Sequence, residues 1–306
     1  MCLRNPLISI IMSCYKEPLS VLKESVESIL LQTYKNFELI LIVDDPYNSD
    51  IIEYLSRIRE TDERVKVFVN PKNMGLVYSL NRAIQISSGQ YIARMDADDI
   101  SVGTRLYDQL KYLKSNELDF IGGYFIKITN DGNPIKEIHY PVSPKKVASY
   151  LKKRGDCVGH PTWFLKRDVY LKLRGYDDIP LCEDYHFLLK ARSMNFRIGN
   201  MPKVCLYYRL SPNSISRTNL AMQTVIADFL RMNIKSCMSV KSQDIENYLA
   251  NVDTVKYMKC IDDYISFSSD IKENGIMSSK NTLLGLIRNK YFYKVLYYKL
   301  MQFIGC

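Results

Sequence analysis

Three carboxylates fall within four residues at Asp96-Ala97-Asp98-Asp99, directly after the apolar run Gln90-Tyr91-Ile92-Ala93-Arg94-Met95. Held that close, they repel one another unless a positive charge sits among them. A hard divalent cation takes oxygen ligands, and Mg²⁺ characteristically uses one or two protein carboxylates and completes its shell with substrate phosphates. The triplet therefore suggests a site for a metal and a diphosphate. Read from the residues alone, it also fits a solvated acidic turn or a helix N-terminus before Ser101. Asp44-Asp45-Pro46 ends another apolar run in the same way. A further pair, Glu183-Asp184, precedes the apolar stretch Tyr185 to Ala191. It suits a catalytic carboxylate, or acidic charge complementing a helix dipole. His160, before Pro161-Thr162-Trp163, reads as a ligand-facing or a hydrogen-bonded structural histidine. Trp163, the single tryptophan, reads as core or pocket wall.

The runs preceding these groups have strand patterns. Leu7–Met12, Glu38–Val43, Arg64–Val69 and Gln90–Met95 are short, apolar or alternating, and rich in β-branched residues. Leu22, Val26, Ile29 and Leu30 have helical spacing between the first two, and residues 51–58 and 76–86 supply two more helices. Strand–helix alternation predicts an α/β fold, with a mostly parallel central sheet and helices on both faces. Such sheets bind ligands beyond the carboxyl ends of their strands, where these polar residues fall. Turn signals at Asp131-Gly132-Asn133-Pro134, Arg174-Gly175 and Ser211-Pro212 punctuate a mixed second half. The expected organisation is a catalytic domain over 1–217, with halves 1–100 and 101–217, followed by a helical region over 218–306.

The 306 residues are 47% hydrophobic and 25% charged, globular proportions that exclude a wholly disordered or fibrous chain. With 42 basic and 33 acidic residues the net charge is +9, which suits an anionic partner. Nucleic acid is not the expected one, because no basic helix or aromatic–basic sheet signature accompanies the charge. The eight cysteines form no CxxC pair, so no zinc site is expected. Scattered thiols without a secretory signal fit a cytoplasmic protein. No stretch of 18 uncharged apolar residues predicts a spanning helix. Lys280–Cys306 holds five basic and no acidic residues among many aromatics. That composition points to peripheral contact with an anionic membrane on its cytoplasmic face, or to packing on protein.

Taken in order, these motifs resemble glycosyltransferase family 2 with a GT-A fold, from about Pro6 to Arg217. Leu7–Tyr15 is similar to its first strand and nucleotide loop, Ser28-Ile29-Leu30-Leu31-Gln32-Thr33-Tyr34 to its helix end, and Glu38–Asp45 to its second strand. Asn73-Met74-Gly75-Leu76 with Asn81, the Asp96–Asp99 motif, Gly159-His160-Pro161-Thr162, Arg174-Gly175-Tyr176-Asp177 and Glu183-Asp184 follow. The resemblance implies that Ser13 and Asp45 hold the nucleotide base, with Glu17 lining the nucleoside pocket and Asn73 and Gly75 its wall. It implies that Asp96 faces ribose and metal, that Asp98 is the direct ligand of Mn²⁺ or Mg²⁺, and that Asp99 binds metal or positions the sugar. It makes Asp184 the catalytic base, with Glu183, His160 and Trp163 on the acceptor or sugar side.

Two departures stand out: Pro46-Tyr47 replace the usual Gly-Ser, and Tyr208-Arg209-Leu210-Ser211 lacks a late histidine, leaving Arg209 or Arg217 as the charge near the diphosphate. The Q-x-x-R-W motif of processive synthases is absent. The implied activity is inverting, metal-dependent transfer of one sugar from a nucleotide-diphosphate sugar, a UDP-hexose or UDP-HexNAc, to a hydroxyl of a glycan or lipid-linked acceptor. Cell-surface polysaccharide biosynthesis is the implied setting. A non-catalytic nucleotide-sugar scaffold or sensor is the alternative. A phosphatase or phosphomutase needs Thr or Val after Asp98, where Asp99-Ile100 stand, and a nucleotidyltransferase needs an N-terminal glycine-rich loop.

Overall fold

The computed structural model describes residues 5–211, 218–274 and, near the C-terminus, 286–287, 289–293 and 295–296. Four strands, β1 (Ile8–Cys14), β2 (Phe37–Val43), β3 (Val65–Val69) and β4 (Tyr91–Arg94), pair in the order β3-β2-β1-β4, all parallel. Between them run α1 (Leu19–Leu30), α2 (Ser49–Thr61) and α3 (Leu76–Ile86). Every residue of β2 is buried, which is why its sequence is a continuous apolar run and not an alternating one. Each of the four strands begins and ends within two residues of its sequence pattern.

Beyond β4 the sheet becomes mixed. β5 (Ile100–Ser101), β6 (Phe120–Ile128), β7 (Pro134–Ile138), β8 (Phe164–Lys166) and β9 (Ile198–Arg209) complete it in the order β4-β8-β6-β9-β5, with β7 hairpinned onto β6. The β4–β8, β8–β6, β6–β7 and β9–β5 pairings are antiparallel, and β6–β9 is parallel. The pairings among β1 to β4 are thus wholly parallel, and the antiparallel pairings all involve strands that follow β4.

Helices α4 (Arg105–Ser115), α5 (Pro144–Lys153), α6 (Arg167–Leu173) and α7 (Glu183–Ser193) flank this second half. Two apolar clusters cover the two faces of the sheet. One gathers Ile11, Ile40 and Ile42 with α3, α5 and α7, and the other gathers Ile10, Met12, Leu39 and Leu41 with α1, α2 and α4. The alternation of Ile10, Ile11 and Met12 between clusters is the period-2 pattern of β1 expressed as packing.

After residue 217 come α8 (Leu220–Met232), α9 (Ser242–Leu249) and α10 (Val252–Asn274). Ile226 and Leu230 of α8, with Cys237 and Ile245, join the same apolar cluster as α7. A third cluster joins Ala221, Val225, Tyr257, Cys260 and Ile261 to Leu286, Phe292 and Val295. Much of the expected membrane-contacting tail, 280–306, lies outside the described residues. Of those described, Leu286, Phe292 and Val295 face inward, Ile287, Tyr293 and Leu296 are exposed, and Lys290 pairs with Asp253 at 2.9 Å. Among the described residues no helix is long and apolar enough to cross a membrane.

Candidate active site

The parallel register brings the ends of β1, β2 and β4 to one edge of the sheet, so Ser13, Asp44-Asp45 and Asp96 follow neighbouring strands. The loop carrying the acidic triplet is clasped by α1. Ser25 Oγ donates to the Asp96 carbonyl (3.2 Å), and Ser28 Oγ accepts from Ser101 N (2.9 Å). Gln32 donates to Val102 O (2.8 Å), while its carbonyl accepts from Leu106 N (3.2 Å). The serines and glutamine of the helix-end motif therefore shape the acidic loop from behind.

One ligand oxygen from each of Asp96, Asp98 and Asp99 lies within 4.8 Å of the others. Burial, then the charges of Asp96 and Glu17, pushes Asp98 up to about 7. Asp99 is fully buried and stands well above the carboxylate range, first through burial and then through Asp96 and Asp98. Its Oδ1 accepts from Arg209 N (2.9 Å), while its buried Oδ2 has no partner among the described residues. An orphaned carboxylate oxygen beside two further carboxylates is a donor set suited to a hard divalent cation. Mn²⁺ or Mg²⁺ therefore fits this cluster.

Arg94, which the sequence reading passed over as a strand residue, is the buried counter-charge. Its guanidinium grips Asp96 with two hydrogen-bonded contacts, NH2–Oδ1 at 2.5 Å and NH1–Oδ2 at 2.7 Å, and only 2% of the residue is exposed. Burial, the largest single influence, would lower its pKa, but Asp96, Tyr176 and Asp99 together raise it above the usual value. The same guanidinium acts electrostatically on Asp98, Asp99, Glu183 and Asp184. The two acidic groups thus face one site.

Glu183 and Asp184 open α7. Burial, then Asp184, pushes Glu183 up to about 7, and burial also raises Asp184. Asp184 Oδ1 accepts from Tyr185 N (2.6 Å). Asp156, absent from the sequence reading, stands well above the carboxylate range through burial and then through Asp184. Its Oδ1 is held by Val158 N (2.9 Å). Tyr140 is close enough to feel both Asp156 and Asp184.

On the nucleotide side, Asp44 is structural. It is buried and accepts from Asn70 Nδ2 (2.6 Å), Met74 N (2.8 Å) and Gly75 N (2.8 Å). It thereby fixes the loop of Asn73 and Gly75 beside Asp45. Asn73 is exposed and accepts from Gly75 N (3.0 Å). Gly75 has φ +86° as α3 begins, a conformation open to glycine at no steric cost. The carboxylate of Asp45, which is half-buried, accepts only from Tyr47 N (3.1 Å) among the described residues. Glu17, raised by burial, accepts from Tyr15 N (2.7 Å), and Asp96 acts on it. Ser13 is half-buried at the end of β1.

Three expected contacts are placed differently. Trp163 is fully buried, stacked at 10° on Tyr176, with Nε1 donating to Val158 O (2.7 Å). It belongs to the core and is not a sugar-facing wall. His160 is 8% exposed and bonds Tyr176 Oη at 2.8 Å. Burial and then Arg94 lower its pKa, so it is a neutral strut of the site. Arg209, expected near the diphosphate, is buried beside the acidic loop, where its side chain donates to Asp98 O (2.9 Å), Asn130 O and Glu24 (2.6 Å). It holds the acidic loop, and Arg217 lies outside the described residues.

The two halves are locked at Gly175-Tyr176. Asn81 of α3 donates to Tyr176 O (2.9 Å) and accepts from Tyr176 N (2.8 Å). A Cβ at Gly175, φ +76°, would stand 2.3 Å from Asn81 Oδ1. That close approach explains the Arg-Gly-Tyr-Asp motif.

The family model described as Glycosyl transferase family 2 matches residues 9–174. The O-antigen biosynthesis glycosyltransferase WbnJ of Escherichia coli is 35% identical over 231 residues, 75% of this chain and 89% of that protein. The E. coli UDP-Glc:alpha-D-GlcNAc-diphosphoundecaprenol beta-1,3-glucosyltransferase WfgD is 30% identical over 214 residues, 69% of this chain and 79% of that one. Among solved structures, residues 1–349 of S. aureus TarS with UDP-GlcNAc superimpose with a TM-score of 0.61 at 14% identity, covering 91% of this chain and 79% of that one. The Pyrobaculum calidifontis mannosyltransferase PcManGT with GDP-Man and Mn²⁺ gives 0.59 at 14% identity, covering 96% and 87%. At such identities the likeness shows the fold, which is GT-A.

Proposed function

This chain belongs to glycosyltransferase family 2 and is a glycosyltransferase, and we propose that it transfers one sugar, with inversion, from a nucleotide-diphosphate sugar to a hydroxyl acceptor. The observation that carries the reading is the buried Arg94, which is bonded to Asp96 beside Asp98 and Asp99 and lies near enough to Glu183 and Asp184 to act on both. Asp96, Asp98 and Asp99 would hold Mn²⁺ or Mg²⁺. When bound, that cation neutralises charge developing on the leaving diphosphate. Its fit rests on the orphaned Asp99 Oδ2, and PcManGT, a structural neighbour, is crystallised with Mn²⁺.

The chain's own groups divide the remaining work. Asp45 keeps one carboxylate oxygen for a ring N–H of the base, with uracil as the natural match. Ser13, Glu17 and the Asn73–Gly75 loop line the nucleoside. Asp184 Oδ1 is engaged by Tyr185 N, which leaves Oδ2 to take the acceptor hydroxyl's proton as that oxygen attacks the anomeric carbon. The new C–O bond forms as the bond to diphosphate breaks, so a single displacement inverts the centre. Burial, with a smaller push from Asp96, holds Asp184 above the usual range, nearer the pKa a base needs at neutral pH. Glu183 and Asp156 flank it on the acceptor side.

The relatives' names point to UDP-hexose or UDP-HexNAc donors, a lipid-linked saccharide acceptor and cell-surface polysaccharide biosynthesis. Work on such an acceptor places the enzyme on the cytoplasmic face of the inner membrane, with 280–306 as one candidate contact. The reading is tested by Asp184→Asn assayed with UDP-sugars. Donor binding should persist while transfer and slow donor hydrolysis fall by roughly 10²–10⁴-fold. Wild-type protein that binds donor yet neither transfers nor hydrolyses it would instead be a scaffold.

A further inference from the structure

Helix α5 carries a cationic face that the chemistry above leaves unused. Its sequence, Pro-Lys-Lys-Val-Ala-Ser-Tyr-Leu-Lys-Lys, holds four lysines and no acidic residue. At about 100° per residue, Lys145, Lys146, Lys152 and Lys153 fall within an arc of roughly 120°. Ser149 lies inside that arc, and all five residues are exposed. Val147 and Leu151 lie on the opposite side, both buried in the core. Among the described residues none of the four lysines forms an ion pair. The surface lysines of α6 and β3, by contrast, are paired, as Lys172–Asp168 and Lys66–Glu38. A single-signed face with its counter-ions missing is complementary to an extended anionic surface.

The inner side of the same helix is tied to the catalytic helix. Tyr185 Oη, next to the proposed base, donates to Leu151 O at 2.6 Å. The chain leaving α5 turns through Gly155 into Asp156, which acts on Asp184. A surface docked on the lysine face therefore lies on the acceptor side of the cleft, one helix away from the base.

We propose that the outer face of α5 seats the protein on an anionic phospholipid bilayer and so presents the acceptor side of the cleft to that surface. The contact is electrostatic and superficial, since the lysine face carries no exposed large apolar side chain to insert. It is distinct from the tail, whose Leu286, Phe292 and Val295 are spent on the third cluster. The proposal rests on the glycosyl-transfer reading only for why a surface would be needed; the charge geometry stands without it.

The test is sedimentation with vesicles of phosphatidylcholine, with and without a third of phosphatidylglycerol, using the full chain and a K145Q/K146Q/K152Q/K153Q variant. Each lysine near such a surface is worth about a five-fold gain in affinity, so the variant should bind anionic vesicles several hundred-fold more weakly. Wild-type binding should also vanish near 1 M salt, where screening acts within about 3 Å. A fourfold Lys→Arg variant should bind like wild type. Thermal unfolding and UDP binding of the Gln variant should match wild type, which separates loss of the contact from loss of fold. Equal binding by wild type and the Gln variant, equal sedimentation with neutral vesicles, or no vesicle binding at all would overturn the proposal. Failure of the transfer reading would show separately, as absent donor turnover with vesicle binding intact.

Discussion

Replacing Arg94 by Met keeps the stem of the side chain and removes a buried cation that acts on both acidic groups. The guanidinium contacts Asp96 at 2.5 and 2.7 Å and is almost wholly withdrawn from water. Two unit charges about 4 Å apart at an effective dielectric of 20 interact by about 4 kcal/mol. Breaking a buried pair from one side characteristically costs about 3–5 kcal/mol, because the other charge is left uncompensated. The two figures agree, so a loss of about 4 kcal/mol is expected at pH 8. With a urea dependence of about 3 kcal/mol per molar, the unfolding midpoint would drop by roughly 1.3 M.

The sign with pH follows from the carboxylates. Asp98 already stands at about 7 in the folded chain, above its unfolded value, and without Arg94 it would rise further. A group raised on folding favours the native state below its unfolded pKa, and that advantage is lost as pH rises through the folded one. The Met variant's deficit should therefore be small near pH 5 and largest near pH 8. Arg94→Lys, which keeps the charge and loses the fork, should lie between. Urea titrations of the three proteins at both pH values measure this. A Met variant within 1 kcal/mol of wild type at pH 8, or with an equal deficit at both pH values, would refute the account of Arg94.

Asp184 helps to hold Asp156 above the carboxylate range, so Asp156→Asn, which resembles the protonated acid, should leave the acidic limb of the pH–rate profile in place; a limb that moves to lower pH would mean that Asp156 is already charged when the base titrates. Gly175→Ala places a methyl against Asn81 at positive φ and should cost about 2–3 kcal/mol by chemical denaturation, a cost that Asn81→Ala in the same chain would partly relieve. Burial opposes ionisation of Glu38, yet Lys66, Ser9 and Ser88 hold it down at about 2. Its contribution, roughly 3 kcal/mol, is present above the unfolded pKa and lost as pH falls through the folded one. Lys66→Met should accordingly flatten the acid limb of the stability curve, and an unchanged curve would exclude this network as its source.

Local structure was legible wherever one periodicity acted over a whole segment. β1 to β4 and α1 to α3 follow their apolar patterns because each side chain meets the same kind of neighbour along the element. The antiparallel pairing of β8 between β4 and β6 was not legible, since it joins segments tens of residues apart and β8 is only three residues long. The acidic triplet and the Glu183-Asp184 pair stand out in sequence as contiguous charge. Arg94 and Asp156 do not, because each is a single residue whose role depends on groups that the fold brings to it, Glu183 and Asp184 for Arg94 and Asp184 for Asp156. An arginine two residues before Asp96, inside an otherwise apolar strand, was the available signal for a buried counter-charge. Trp163, His160 and Arg209 are beside the site, yet their polar atoms are spent on Val158, Tyr176, Glu24 and backbone carbonyls, which spacing cannot reveal.

The central claim is that one cleft joins a metal–diphosphate cluster to a base. Its most direct test is titration calorimetry of UDP, GDP and dTDP into the protein, each with Mn²⁺ and with chelator. The account predicts that one nucleotide, UDP, binds with Mn²⁺, that chelator abolishes the binding, and that Asp98→Ala abolishes it while Asp184→Asn does not. Binding of UDP that ignores both the metal and Asp98, or no binding of any of the three, would contradict it.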